Sequence, residues 1–108
     1  MGSRYIVAIV RSEVLTTLEQ RLLHAGVRGL SVTKVKGIGE YTNSFARDQF
    51  SEHAKIEIFT DESKVEAIVK VIIDAAHAGD LGDGIVTVLP VEKFYRIRTR
   101  SEGLPDAA

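Results

Sequence analysis

The 108-residue sequence contains no cysteine, so disulfides and thiolate chemistry are excluded and the best zinc ligands are missing. No charge of one sign dominates. Lys and Arg number 14 against 15 Asp and Glu, for a formal net charge of −1. Such a balance gives no electrostatic footprint for a general nucleic-acid binder or a basic membrane-surface protein. Long hydrophobic runs are also missing. The first apolar stretch, Tyr5 to Val10, ends at Arg11, which is the length of a strand and not of a signal peptide or membrane span. A soluble, cytoplasmic protein is therefore expected. His24, His53 and His77 are scattered with no H-x-x-x-H spacing, so no metal site is expected. There is no P-loop, nucleophile elbow or Ser-His-Asp arrangement. Glu40, Asp48 and Glu52 are carboxylates in a segment with no regular frame, and acid–base catalysis needs fixed geometry. An enzyme is not expected.

What is present is a regular succession of apolar patterns. Tyr5–Val10 reads as a strand. Ser12 is placed to cap a helix whose Val14, Leu15, Leu18 and Leu22 share a face and which Gly26 stops. Leu30–Lys36 alternates as a second strand, and its register slip between Val32 and Val35 suggests a bulge. Lys55–Phe59 resumes alternation. Ser63-Lys64-Val65-Glu66 has the form of a capping box for a second helix striped by Val65, Ile68, Val69, Ile72 and Ala76 and ended by Gly79. Short strands are expected at Ile85–Leu89 and Lys93–Thr99. The fold class is therefore α+β, a ferredoxin-like βαββαβ sandwich with an extra C-terminal strand. One domain spans residues 1–100, and 101–108 reads as a flexible tail. Strand one is apolar on both sides, with Tyr5, Val7 and Ile9 opposing Ile6, Ala8 and Val10. Helices on one face cannot bury both sets, so a homo-oligomer closed over the open face is expected.

Two segments carry candidate chemistry. Residues 39–53 lose all periodicity, and loops of that length in compact domains are functional or disordered. Within them Tyr41, Phe45 and Phe50 either dock a partner or pack the loop on its own base. His53, at the loop's return, is either a solvated loop residue or a source of pH sensitivity. Residues 79–99 place a Gly82-Asp83-Gly84 turn before a strand on which Arg96 and Arg98 would share one face. Glycines let backbone N–H groups approach a ligand, and the planar guanidinium fork matches paired phosphate oxygens. Two cations beside such a loop suit a polyphosphate. A plain turn and a solvated Arg-x-Arg face are the alternative reading.

In order, these segments resemble the PII (nitrogen regulatory P-II) signal-transduction family and its PII-like relatives with a shortened T-loop. The likeness rests on Ala78-Gly79 followed by Gly82-Asp83-Gly84, on Leu89-Pro90-Val91-Glu92 before Arg96-Ile97-Arg98-Thr99, on Gly29 to Gly39 and on Lys55-Ile56-Glu57. The resemblance implies a cytoplasmic homotrimer that binds ADP, AMP or ATP in clefts between subunits. It would signal through a T-loop (39–53) to a membrane transporter or metabolic enzyme. It carries nucleotide-binding roles to Ser31, Gly37, Gly39, Gly82, Asp83, Gly84, Arg96 and Arg98, with 79–85 as the B-loop. No cofactor is implied beyond these ligands.

The departures sharpen the reading. Ile85 stands where family members typically have a phosphate-contacting lysine, so ADP or AMP should compete well with ATP. Tyr41 stands where a glutamine usually helps to hold magnesium and 2-oxoglutarate, and sensing of both is not expected. The segment bearing the modifiable tyrosine is missing, so uridylylation is not expected either. Some PII-like relatives are linked to bicarbonate transport or carboxysomes, and Tyr41, Arg47 and His53 are candidates for contact with such an anion. A CutA-like structural or metal-tolerance trimer without nucleotide binding is the alternative.

Overall fold

The computed structural model describes residues 2–37 and 51–103, with the Ser51 side chain left out. Gly39, Tyr41, Phe45, Arg47 and Phe50, and the last five residues of the expected tail, lie outside the described residues. Strand β1 (Ser3–Arg11) leads through a single 3-10 turn (Ser12–Val14) into helix α1 (Leu15–His24). Strands β2 (Ser31–Gly37) and β3 (Ser51–Asp61) follow, then a 3-10 turn (Glu62–Lys64), helix α2 (Val65–Ala76) and strand β4 (Gly84–Val91). The four strands form one antiparallel sheet in the order β2-β3-β1-β4. This is the ferredoxin-like arrangement read from the sequence.

Alternation decides which side of each strand is buried. Ile6, Ala8 and Val10 of β1 and Ala54, Ile56 and Ile58 of β3 meet Leu18 and Leu22 of α1 and Ile68 and Ile72 of α2 in the core. The other face stays half open. There Tyr5, Val7 and Ile9 are partly buried, while Phe59 (48%), Ile85 (40%) and Leu89 (41%) are exposed. Tyr5 stacks on its cross-strand neighbour Phe59 with ring centroids 4.8 Å apart, and its hydroxyl donates to the Glu57 carboxylate. That bond, then burial, then the Glu57 charge hold the Tyr5 hydroxyl above its usual pKa.

Four local expectations need correction. The β2–β3 register runs unbroken from Ser31↔Glu57 to Gly37↔Ser51, so there is no bulge. Val32 and Val35 sit on opposite faces of an edge strand that neither face buries deeply. Ser12 does not cap α1, because the intervening 3-10 turn moves the helix start to Leu15. Before the second helix, Asp61 caps the 3-10 turn, its carboxylate accepting from the Ser63 N–H, a bond that lowers its pKa, and α2 itself has no side-chain cap. The last correction concerns the strand expected at Lys93–Thr99. Instead Tyr95–Arg96 (β5) pairs with Ser101–Glu102 (β6) across a turn at 97–100, with Arg100 at φ +57°. The start of the expected tail is thus part of a hairpin.

Candidate functional site

Strand direction brings four chain segments to one end of the sheet. In the register Arg11 faces His53, Val10 faces Gly84 and Val35 faces His53, while Gly37 ends β2 beside Ser51. The expected Gly37, His53, Gly82, Asp83 and Gly84 are therefore brought together. Gly84 adopts φ +111°, and a β-carbon there would fall 1.9 Å from the Ile9 carbonyl oxygen. Only glycine lets the loop close this tightly on β1.

Asp83 turns its carboxylate back into the chain. Oδ2 accepts from the N–H groups of Ala78 and Gly79, each at 2.8 Å, and Oδ1 accepts from Arg11 Nη1 at 2.9 Å. The Ala78 bond, then the Gly79 and Arg11 interactions, pull the Asp83 pKa below the ordinary carboxylate value against the opposing effect of burial. Asp83 thus organises the loop; its carboxylate is engaged by the chain itself. His77 Nδ1 stands 3.6 Å from the same carboxylate at the end of α2.

His53 is not a solvated loop residue. It lies within β3, is 2% exposed, and its Nε2–H donates to the Gly82 carbonyl at 3.1 Å. A carbonyl can only accept, so Nε2 carries the proton. The bond ties the start of β3 to the glycine loop.

The arginine pair is elsewhere. β4 carries the chain from Gly84 to Val91, which faces Ser3 at the opposite end of β1. Phe94 packs there against Phe59 with centroids 5.4 Å apart, and the Tyr95–Glu102 hairpin follows. Strand rise places this end roughly 20 Å from the glycine loop. The two arginines also do not share a strand face: Arg96 is in β5 and partly buried, whereas Arg98 is exposed in the turn. Ser31 pairs with Glu57, which faces Val7, and so lies midway along the sheet. Two cations beside the glycine loop is thus not the arrangement within one chain. Glycine loop and arginines lie at opposite ends of the sheet.

Arg11 is the residue that sequence reading missed. Its position as the first charge after the β1 apolar run was visible, but its contact with a loop about 70 residues later follows only from the β1–β4 pairing. An apolar cleft of about 310 Å³ adjoins the loop, between α2 and β4, with His77 and Asp83 at its polar rim. Among the described residues no group of three His, Asp or Glu side chains could hold a metal, and no helix is long and apolar enough to cross a membrane.

Sheet order defines a ferredoxin-like domain with the glycine loop at one end of its sheet and the arginine hairpin at the other. Comparison with known proteins makes this specific. The family model described as Nitrogen regulatory protein P-II matches residues 3–101, and the chain belongs to that family of regulatory proteins. It is 36% identical over 104 residues to the nitrogen regulatory protein P-II homolog of Arabidopsis thaliana, covering 89% of this chain and 53% of that protein. The chain spans about half the length of the plant relatives. It is likewise 36% identical over 99 residues to nitrogen regulatory protein P-II of Nostoc punctiforme, covering 85% of this chain and 88% of that one. Among solved structures, that of Arabidopsis thaliana PII bound to citrate superposes with a TM-score of 0.80 at 33% identity, over 94% of this chain and 86% of that chain.

Proposed function

We propose that this chain is a non-enzymatic P-II-type signalling protein that assembles as a homotrimer and binds adenine nucleotides between subunits. The observation that carries this reading is the separation of the glycine loop from the arginines. Glycine loop and Arg98 sit at opposite ends of one sheet, so a pocket that uses both needs a second copy to supply the other half. The half-exposed apolar face with Phe59, Ile85 and Leu89 gives the copies a surface to bury, at about 25 cal/mol per Å² of apolar area. P-II family membership supports the regulatory role, and the citrate bound to the Arabidopsis relative supports a polyanion as ligand.

In this reading Gly82 and Gly84 let the backbone approach the phosphates, Asp83 holds the loop, and Arg96 and Arg98 of a neighbour grip the charged tail. Ser31 and Gly37, with Gly39, complete the cleft around the nucleotide. His53 links that cleft to the segment preceding β3, so that ligand identity reaches residues 39–53 and, through them, a transporter or metabolic enzyme. A ligand shifts that segment only by its differential affinity for the segment's two states. Ile85, without charge, leaves ADP and AMP competitive with ATP. Bicarbonate is the second effector proposed, through Tyr41, Arg47 and His53, in inorganic-carbon metabolism.

Subunit mixing tests the shared site. Arg98→Ala should weaken ATP binding about tenfold to a hundredfold, the value of a charge-assisted hydrogen bond, with the assembly intact. Asp83→Ala should weaken it as well. Co-assembly of the two variant chains should regenerate clefts with both halves native and restore a fraction of wild-type ATP sites by calorimetry. Mixed assemblies with no restored sites would place both halves in one chain, and wild-type protein that binds none of ATP, ADP and AMP would end the nucleotide reading.

A further inference from the structure

The guanidinium that closes β1 touches the glycine loop on three sides. Arg11 Nη1 donates to Asp83 Oδ1 at 2.9 Å, and Nη2 lies 3.8 Å from Asp80 Oδ2. Its remaining edge lies against Gly82, where a β-carbon would stand 2.6 Å from Nη2 and 3.1 Å from Nε. One cation therefore engages a carboxylate on either side of Gly82 and covers the backbone between them. A loop meant to face phosphate but carrying Asp80 and Asp83 would otherwise present negative charge to a polyanion. The Arg11 side chain is 22% exposed, and its Nε edge lies close to Gly82.

We propose that Arg11 is a positioning residue for nucleotide affinity: it fixes residues 80–83 in their ligand-facing shape and offsets part of the negative charge of Asp80 and Asp83. This rests on the nucleotide reading above and deepens it. The two contributions leave different signatures. Loss of shape lowers affinity for AMP, ADP and ATP alike, because all three use the same loop. Loss of the charge offset lowers it in proportion to the phosphate charge, and this part shrinks as salt rises. A residue that merely stabilises the fold would lower the melting temperature without any ordering among the three ligands.

The test is calorimetry of wild type, Arg11→Gln, Arg11→Lys and Gly82→Ala with AMP, ADP and ATP at low and raised salt. Arg11→Gln should weaken ATP about tenfold or more, ADP less and AMP least, with the differences narrowing at high salt. Arg11→Lys keeps the charge without the planar fork, so the ordering should vanish while part of the common loss remains. Gly82→Ala keeps the charge but pushes the guanidinium aside, and the far end of a flexible side chain can yield, so this variant should fold and lose affinity about evenly for all three. If wild type binds and Arg11→Gln stays within about twofold for every ligand, the role of Arg11 falls while the site stands. If wild type binds none of the three, site and role fall together. If Arg11→Gln does not fold, Gly82→Ala decides, and unchanged affinity there overturns the proposal.

Discussion

The loop at residues 80–84 and the turn at 97–100 are both short, both charged, and built oppositely. The first is tied from four directions: Gly84 lies under the Ile9 carbonyl, Asp83 accepts from Ala78 and Gly79, Arg11 spans its carboxylates, and His53 holds Gly82 from below. The second is secured by its own hairpin. Gly103 N–H donates to the Phe94 carbonyl at 2.8 Å, Arg100 N–H to Ile97 at 3.3 Å, and Thr99 and Ser101 share a hydroxyl bond at 2.6 Å. Ile97, which opens the turn, is 94% exposed. The first loop is thus held by side chains from several elements, and the second by contacts within its own hairpin.

Substitutions that attack the first loop should therefore act on stability first. Gly84→Ala is the most damaging, because its β-carbon meets backbone at 1.9 Å and its φ of +111° disfavours any side chain. Neither the Ile9 carbonyl nor the strand can move without breaking the β1–β4 ladder. A loss of about 3 kcal/mol or more is expected in denaturant unfolding. A loss under about 1 kcal/mol would show that the loop end adapts as freely as the hairpin does.

Asp83→Ala comes next. It leaves the Ala78 and Gly79 N–H groups and Arg11 without their acceptor, for about 2 kcal/mol. The pH dependence has a definite sign. The Asp83 carboxyl titrates lower in the folded protein than its unfolded value of about 3.9. Its contribution is therefore whole at neutral pH and is lost as pH falls below that value through the folded one. The Asp83→Asn variant should be less stable than wild type at neutral pH, and the gap should close on acidification. A gap that stays constant down to acid pH would mean that the side-chain shape, not its charge, organises the loop.

How much of this was legible in the sequence follows the range of the interactions. The α+β order, both helix stripes and the two-sided apolar character of β1 could be read because each is a local periodicity. The caps failed by one turn, since Ser12 and Ser63 sit within 3-10 turns that precede the helices. The Arg96–Arg98 pair failed for a different reason. Arg-Ile-Arg-Thr alternates as a strand would, but Arg100 takes a left-handed conformation and turns the chain back before the strand can extend. The spacing of Gly82-Asp83-Gly84 showed where a loop would form, yet gave no sign that Arg11 and His53 grip it. Those contacts depend on which strands become neighbours, and only the pairing itself reveals that.

The smallest expected effect sharpens the contrast between the two turns most. Arg100, like Gly84, has a positive φ, +57°, but it lies at an exposed turn where Gly84 lies against backbone. A left-handed conformation costs a non-glycine residue roughly 1 kcal/mol. Arg100→Gly relieves that strain, while the added freedom of glycine in the unfolded chain offsets about 0.5–1 kcal/mol of the gain. The net change in global stability should lie within about 0.5 kcal/mol of zero. Locally, the Gly103 amide bonded to Phe94 should exchange no faster than in wild type. Faster exchange would mean that the Arg100 side chain itself braces the hairpin, and the contrast between a turn tied by side chains and a turn tied by its own backbone would be lost.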